Sequence, residues 1–321
     1  MSASVSVENR GNAVNRTTPI RIATRGSKLA LWQADWLADR LRQLGAPVEL
    51  LEVTTSGDVQ QSGPVVALGL QGVFTKEIQA AVLEDRADVA VHSLKDLPTE
   101  LIEGLILAAV PQRESSADAL VTLDGSQLSD LPAGARVGTG SLRRQSQLKH
   151  LRPDLDVVAI RGNVDTRLQK LAEGVVDAIV LACAGLERLG WADRISERLE
   201  PPRMLPAPGQ GALGIECRKD DAEVSKLLYQ LDDTETRQSV TAERALLALL
   251  HAGCSAPVGA WGRVEQGRLS LDALVASLDG SDLLRASGSG APADAEAIGS
   301  EVAGQLLAAG AEQIILTARG Q

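Results

Sequence analysis

Aromatic side chains are almost missing from this chain: four Trp, one Tyr and one Phe among 321 residues, or 2%. Platforms that stack nucleic-acid bases need several such rings. A basic excess is missing too. Lys and Arg number 32 against 42 Asp and Glu, a formal net charge of −10, which argues against a general nucleic-acid or membrane-surface binder. Cysteine is scarce, with only Cys183, Cys217 and Cys254. The number is odd and no CxxC pair occurs, so neither a disulfide framework nor any metal site of the zinc type is expected. No apolar run reaches the roughly 18–20 residues that span a bilayer. Residues 1–19, MSASVSVENRGNAVNRTTP, lack the apolar core of a secretory signal and read as a flexible tail. The expectation is a soluble protein of a reducing, cytoplasmic compartment.

What is present is a large apolar complement, 44% of residues, carried by Leu, Val, Ala and Ile. That suffices for two or three domains. From about Ile20 to Leu213 short apolar runs alternate with amphipathic stretches. PIRIATR, VELLEVTT and ADVAVHSL read as strands. SKLALWQADWLADRLRQLG reads as a helix with Ser27 as N-cap and Gly45 as its stop, and FTKEIQAAVLEDR as a second helix. The rhythm restarts after PQRESSADALV. ARVGTGS is a strand and loop, DVVAIRG and VDAIVLACAGL are strands, and LRRQSQLKHLR and NVDTRLQKLAEG are helices. This β-α-β order predicts mainly parallel sheets with helices on their faces. PPRMLPAPGQGALGIEC is a Pro/Gly-rich passage leading into another strand. From about Thr234 the texture is α+β: helices TRQSVTAERALLALLHAG and EAIGSEVAGQLLAAGA surround antiparallel strands in GRLSLDALVAS and DLLRASGSG.

The chemistry-bearing residues fall where strands end. AVHSLKDLP places Ser93, Lys95 and Asp96 at the carboxyl end of a strand, the position where open α/β sheets bind ligands. A carboxylate there can donate a proton or face a developing cation, and a neighbouring lysine biases its ionisation and holds anions. In VGTGSLRRQSQL the small loop with Thr139 and Ser141 precedes a helix start, an anion-binding arrangement to which Arg143 and Arg144 add forked donors. An ordinary surface helix with two exposed arginines is the competing reading. IRGNVDTRLQKL repeats the device with Arg161 and Arg167. Arginines near a helix N-terminus oppose its dipole, which makes sense if an anion binds there. Arg25 holds the equivalent place after the first strand, beside Ser27. From Arg136 to Lys170 there are eight basic residues and three acidic ones, so a cleft for a polyanion is expected. Arg188 joins that cleft or lies on a solvated helix face. Cys183 and Cys217 read as buried small hydrophobes. Cys254, in the Gly/Ala/Ser/Pro loop HAGCSAPVGA, is open to reactivity, with His251 packing at the helix end.

RIATRGSKLALWQA, ADVAVHSLKDLP, VGTGSLRRQSQL, IRGNVDTRL, LPAPGQGALGIEC, VTAERALL and GCSAPVG come in one order and spacing. Over nearly its whole length from Ile20 the chain thereby resembles the porphobilinogen deaminase (hydroxymethylbilane synthase) family. The resemblance implies an α/β fold of two periplasmic-binding-protein-like domains with mainly parallel sheets, plus a small α+β C-terminal domain. The implied extents are 20–112 with 207–230, 113–206, and 231–321, after the tail 1–19.

The same resemblance implies a transferase of tetrapyrrole (haem) biosynthesis. Four porphobilinogen molecules are joined head to tail on a covalent dipyrromethane cofactor, ammonia is lost at each step, and hydroxymethylbilane is released. Cys254 would hold the cofactor through a thioether. Asp96 would be catalytic, assisting loss of the aminomethyl nitrogen and stabilising the charge on the pyrrole nitrogen of the azafulvene. Ser93, Lys95, Asp96, Thr139, Ser141, Arg143 and Arg144 would bind the cofactor. Arg25, Ser27, Phe74, Arg161, Arg167, Arg188 and Gln210 would bind substrate or growing chain. Each porphobilinogen brings an acetate and a propionate, which accounts for the arginines. Two positions depart from the family pattern. Gln71, in GLQGVF before the helix, replaces a basic residue, and Asp165 stands where many members have a small one. No nucleic-acid or membrane partner is expected. A monomer is, since no extended apolar seam stands out, with hand-off of product to the next enzyme of the pathway. The rival reading is a non-enzymatic two-domain binding protein for a small polycarboxylate, which leaves Cys254 unexplained.

Overall fold

The computed structural model describes residues 18–55, 75–100, 102–253 and 256–319. Strand β1 (Ile20–Thr24) leads into helix α1 (Lys28–Gln43), strand β2 (Val48–Glu52), helix α2 (Lys76–Leu83), strand β3 (Val89–Ser93) and strand β4 (Leu105–Ala109). The alternation of β1 sets its packing. Ile20 and Ile22 face Leu37 and Leu41 of α1, while Ala23 faces Ile78 and Val82 of α2. Each fully buried side chain of this size contributes about 1.5–3 kcal/mol. Ser27 caps α1, its hydroxyl accepting the Ala30 N–H at 3.4 Å. Gly45, at φ 87°, ends the turn that follows, as the sequence predicts.

A second unit contains β5 (Asp118–Thr122), β6 (Arg136–Gly138), α3 (Leu142–Leu151), β7 (Asp156–Val158), α4 (Val164–Ala172), β8 (Ala178–Ala182), α5 (Cys183–Arg188) and β9 (Glu197–Leu199). The chain then returns to the first sheet as β10 (Leu213–Arg218), followed by α6 (Ala222–Leu228). The sheets share one plan, β2-β1-β3-β10-β4 and β7-β6-β8-β5-β9. In each, four strands run one way and the fifth, β10 or β5, runs against them. The sheets are therefore mainly parallel in direction, although half of their ladders are antiparallel. One expected strand is divided: VDAIVLACAGL is extended only to Ala182, and Cys183 opens α5.

The third unit has α7 (Thr234–Leu249), an antiparallel sheet of β11 (Val258–Glu265), β12 (Arg268–Ala276) and β13 (Leu283–Gly290), then α8 (Ala295–Ala308) and α9 (Ala311–Arg319). Leu246, Leu271, Val275, Val302 and Leu306 form its core. A Cβ at Gly299 would lie 2.3 Å from the Ala242 carbonyl oxygen, so glycine lets α7 and α8 meet at backbone distance.

Two segments, 110–117 and 200–212, carry the chain between the α/β units, and the third unit grips both. Glu243 of α7 accepts from Arg113 Nη1 at 2.6 Å, from Gly209 N at 2.6 Å and from Gly262 N at 2.8 Å. Arg113 Nε donates to the Gln210 carbonyl at 2.7 Å. Glu243 is fully buried, and these donors satisfy its charge. Breaking such a pair costs about 3–5 kcal/mol, so the connecting segments are held firmly where they meet.

Candidate active site

Because the two sheets share one plan, the carboxyl ends of β1, β3, β6 and β8 converge on one cleft, as the topological switch-point rule requires. A cavity of about 580 Å³ occupies it, lined from both α/β units. Eight basic side chains face it, against two carboxylates among the described residues, Asp96 and Asp165. In a chain of net charge −10 this concentration of one sign marks a polyanion site.

The first wall is built at the end of β3. Ser93 closes the strand, and Leu94–Asp96 make a single 3-10 turn that swings Lys95 and Asp96 into the cleft. The turn is fixed from beneath: Leu94 is fully buried and its N–H donates to the Ala212 carbonyl at 3.0 Å. Ser93 Oγ accepts from Gln33 Nε2 at 2.8 Å. Lys95 reaches Gln210 Oε1 at 3.5 Å. Burial, and then the charge of Arg144, push its ammonium down to about 8, against the opposing pull of Asp96 and Asp118. It still carries most of its charge at neutral pH. Asp96 is solvent-exposed, and nothing among the described residues donates a hydrogen bond to its carboxylate. Arg25 and Ser27, after β1, complete this wall.

The opposite wall starts at β6. Ser141 caps α3, accepting from Arg144 N at 3.4 Å. Thr139 stands behind the wall, buried, its hydroxyl accepting the Ser141 N–H at 3.2 Å. Arg143 and Arg144 are not the exposed pair of an ordinary surface helix: only 3% and 5% of their surface is accessible. Both converge on Asp118 of β5. Arg143 Nη1 donates to Oδ2 at 2.6 Å, and Arg144 Nη2 and Nε donate to Oδ1 at 2.7 and 2.9 Å. Gln210 Nε2 joins at 2.9 Å. Burial would raise the Asp118 carboxyl, but Arg143 and Arg144 more than offset it and hold it well below the usual range. Asp118 was not singled out from the sequence. Its signal was an acid inside the apolar run ADALV, which must find a cation once buried.

Arg161 and Arg167 lie on the same side. Arg167 Nε donates to the Gly162 carbonyl at 2.9 Å, and burial together with Arg144 pushes its guanidinium down to about 10. Arg188 is buried on the cleft wall rather than on a solvated face. Its Nη2 donates to the Gly211 carbonyl at 2.7 Å, and its guanidinium sits 5.6 Å from the Trp32 ring centre. Cys183 and Cys217 are buried, and burial pushes each thiol up to about 11, which makes them inert, as expected. Phe74, Gln71 and Cys254 lie outside the described residues. Gly253 and Ala256, on either side of the Cys254 position, line a small cavity together with Lys95, Ser141 and Arg143. His251, at φ 48°, ends α7, and its carbonyl accepts from Arg319.

Comparison with known proteins bears on this geometry. Residues 20–226 match the family model described as porphobilinogen deaminase, dipyromethane cofactor binding domain, and residues 237–308 match the porphobilinogen deaminase C-terminal domain. A porphobilinogen deaminase of Desulforudis audaxviator is 52% identical over 301 residues, covering 93% of this chain and 97% of that one. One from Syntrophobacter fumaroxidans is 49% identical over 298 residues, covering 92% and 96%. Among solved structures, a nutrient binding protein from Burkholderia cenocepacia bound to methionine aligns over 66% of this chain and 91% of its own, at 15% identity and a TM-score of 0.41.

Proposed function

The chain belongs to the porphobilinogen deaminase family, and from that premise we propose how its own side chains carry out the family's reaction. It is a transferase that condenses porphobilinogen head to tail on a dipyrromethane cofactor, with loss of ammonia. The observation that carries the assignment of roles is the cavity itself: one turn presents Lys95 and Asp96 to a field of cations drawn from both α/β units.

The residues present suit a dipyrromethane with its carboxylate side chains. Arg143 Nε and Arg188 Nε are buried and make no hydrogen bond among the described residues, leaving N–H donors for an acidic ligand. Ser93, Lys95, Ser141, Arg143 and Arg144 would hold the cofactor, and Thr139 would keep Ser141 in place. Cys254 would anchor it, a reading supported by Gly253 and Ala256 bordering the cavity shared with Lys95 and Arg143. When bound, the cofactor supplies the pyrrole carbon to which the first substrate is joined.

Arg25, Ser27, Arg161, Arg167, Arg188 and Gln210, with Phe74, would receive the substrate and the lengthening chain. Arg143 and Arg144 spend part of their donor capacity on Asp118, so their forks are rigid when a ligand arrives, and less ordering entropy is lost. Asp96, whose carboxylate accepts no hydrogen bond among the described residues, would bind the substrate's aminomethyl ammonium and assist its departure as ammonia. It would then face the positive charge that develops on the pyrrole nitrogen.

The domain extents 20–112 with 207–230, 113–206 and 231–321 are proposed on the course of the two connecting segments. A cytoplasmic monomer is proposed as well; no helix among the described residues is long and apolar enough to cross a membrane. A stable dimer in light scattering would count against the monomer. The function is tested by incubating the purified protein with porphobilinogen. Ammonia should appear in a ratio of four to each hydroxymethylbilane released, whereas binding without ammonia release would favour a polycarboxylate-binding protein.

A further inference from the structure

The rim of the cavity carries a charge pair that these roles leave unused. Lys28 Nζ, at the start of α1, stands 3.6 Å from Oδ2 of Asp165, in the first turn of α4. One residue belongs to the first α/β unit and the other to the second, so the pair bridges the opening between them. Both line the cavity, yet their side chains are 65% and 43% exposed, which puts them at its open edge. The Lys28 ammonium also lies 5.8 Å from the Trp191 ring centre.

A pair this exposed is weak and exchangeable, shifting an equilibrium by no more than about fivefold. Asp165 is nevertheless one of only two carboxylates on the described wall. For a purely anionic ligand an acid beside Arg161 and Arg167 is a defect, because it subtracts from their field. For a ligand that also carries an ammonium it is a recognition element. Porphobilinogen is of the second kind, with two carboxylates and one protonated aminomethyl group.

Resting on the porphobilinogen reading above, we propose that Lys28 and Asp165 form an entry subsite selective for an ammonium-bearing pyrrole diacid. The arriving substrate opens the pair by exchange: its ammonium replaces Lys28 at Asp165, and one of its carboxylates replaces Asp165 at Lys28. No bond is made or broken and no net charge is stranded. Once ammonia has left, the bound unit offers Asp165 nothing, so the ion pair closes again behind it. The subsite thus favours entry of ammonium-bearing substrate over pyrrole diacids that lack that group.

The test uses a competitive inhibitor with the same pyrrole diacid but no aminomethyl group. The ratio of its Ki to the KM for porphobilinogen is measured for the wild-type holoenzyme and for Asp165→Asn, a change at a half-exposed site that leaves the core untouched. The ratio is expected to fall about three- to fivefold, since only porphobilinogen loses a partner. A ratio that stays the same or rises overturns the proposal. Lys28→Gln is expected to weaken both molecules in step, and selective weakening of porphobilinogen would contradict the exchange. Absence of turnover in the wild-type protein would instead remove the porphobilinogen reading itself, so the two failures are separate.

Discussion

Asp96→Asn is expected to lower turnover by about 10²–10⁴-fold, the range a positioned acid–base group supplies, while leaving the fold intact. The side chain sits exposed on the turn after β3, so the isosteric amide removes no packing. It does remove the carboxylate that sits next to Lys95 on the turn. The amide can neither pair with the departing ammonium nor hold the opposing charge for a cation forming on the pyrrole ring. In barrier terms the loss is about 3–5 kcal/mol. Cofactor content should persist, because Ser141, Arg143 and Arg144 are untouched. Single-turnover measurement of ammonia release checks this, and wild-type rates in the variant would remove Asp96 from the chemistry.

Asp118→Asn is expected to be the most destabilising change in the cleft. Two guanidinium groups, Arg143 and Arg144, are buried against this single carboxylate. Neutralising it leaves both cations in the interior with an amide that cannot balance them, at a cost of about 3–5 kcal/mol. Urea unfolding of the two proteins measures the difference. The pH dependence gives a second readout. The folded-state carboxyl lies below its ordinary value, so its contribution is fully present above the unfolded value of about 4 and is lost as pH falls toward the folded value. The variant should lack this acid-sensitive component. A loss below about 1 kcal/mol with an unchanged acid limb would mean that Arg143 and Arg144 find other partners.

The placement of Asp118 shows where reading from sequence stops. Motif positions were legible because they are local. Ser27 as a cap, Gly45 as a stop, and Ser93–Asp96 at a strand end follow from a few adjacent residues, and the structure keeps all three. The α/β rhythm also gave the two sheets. Pairings across long separations were not legible. Arg143 and Arg144 support an anion-site reading, but their partner lies 25 and 26 residues upstream, in the run ADALV that no local motif marks. The Arg113–Glu243 bridge spans 130 residues, and no local pattern announces it. Strands β4, β5 and β9 escaped for a related reason: they are short, and the neighbouring strands that justify them are distant in sequence. Strand β11 was hidden by its lead-in, where SAPVGAWG has the glycine and proline content of a loop. Its ladder with β12 supplies the hydrogen bonds that composition alone does not promise.

The central claim is that this chain carries a dipyrromethane on Cys254 in the cleft that Lys95, Asp96, Arg143 and Arg144 line. Intact mass of the purified protein beside its Cys254→Ser variant tests it most directly. The account predicts a wild-type excess equal to two porphobilinogen units less two molecules of ammonia, absent from the variant. A wild-type protein that shows no such excess, and gains none after incubation with porphobilinogen, would contradict it.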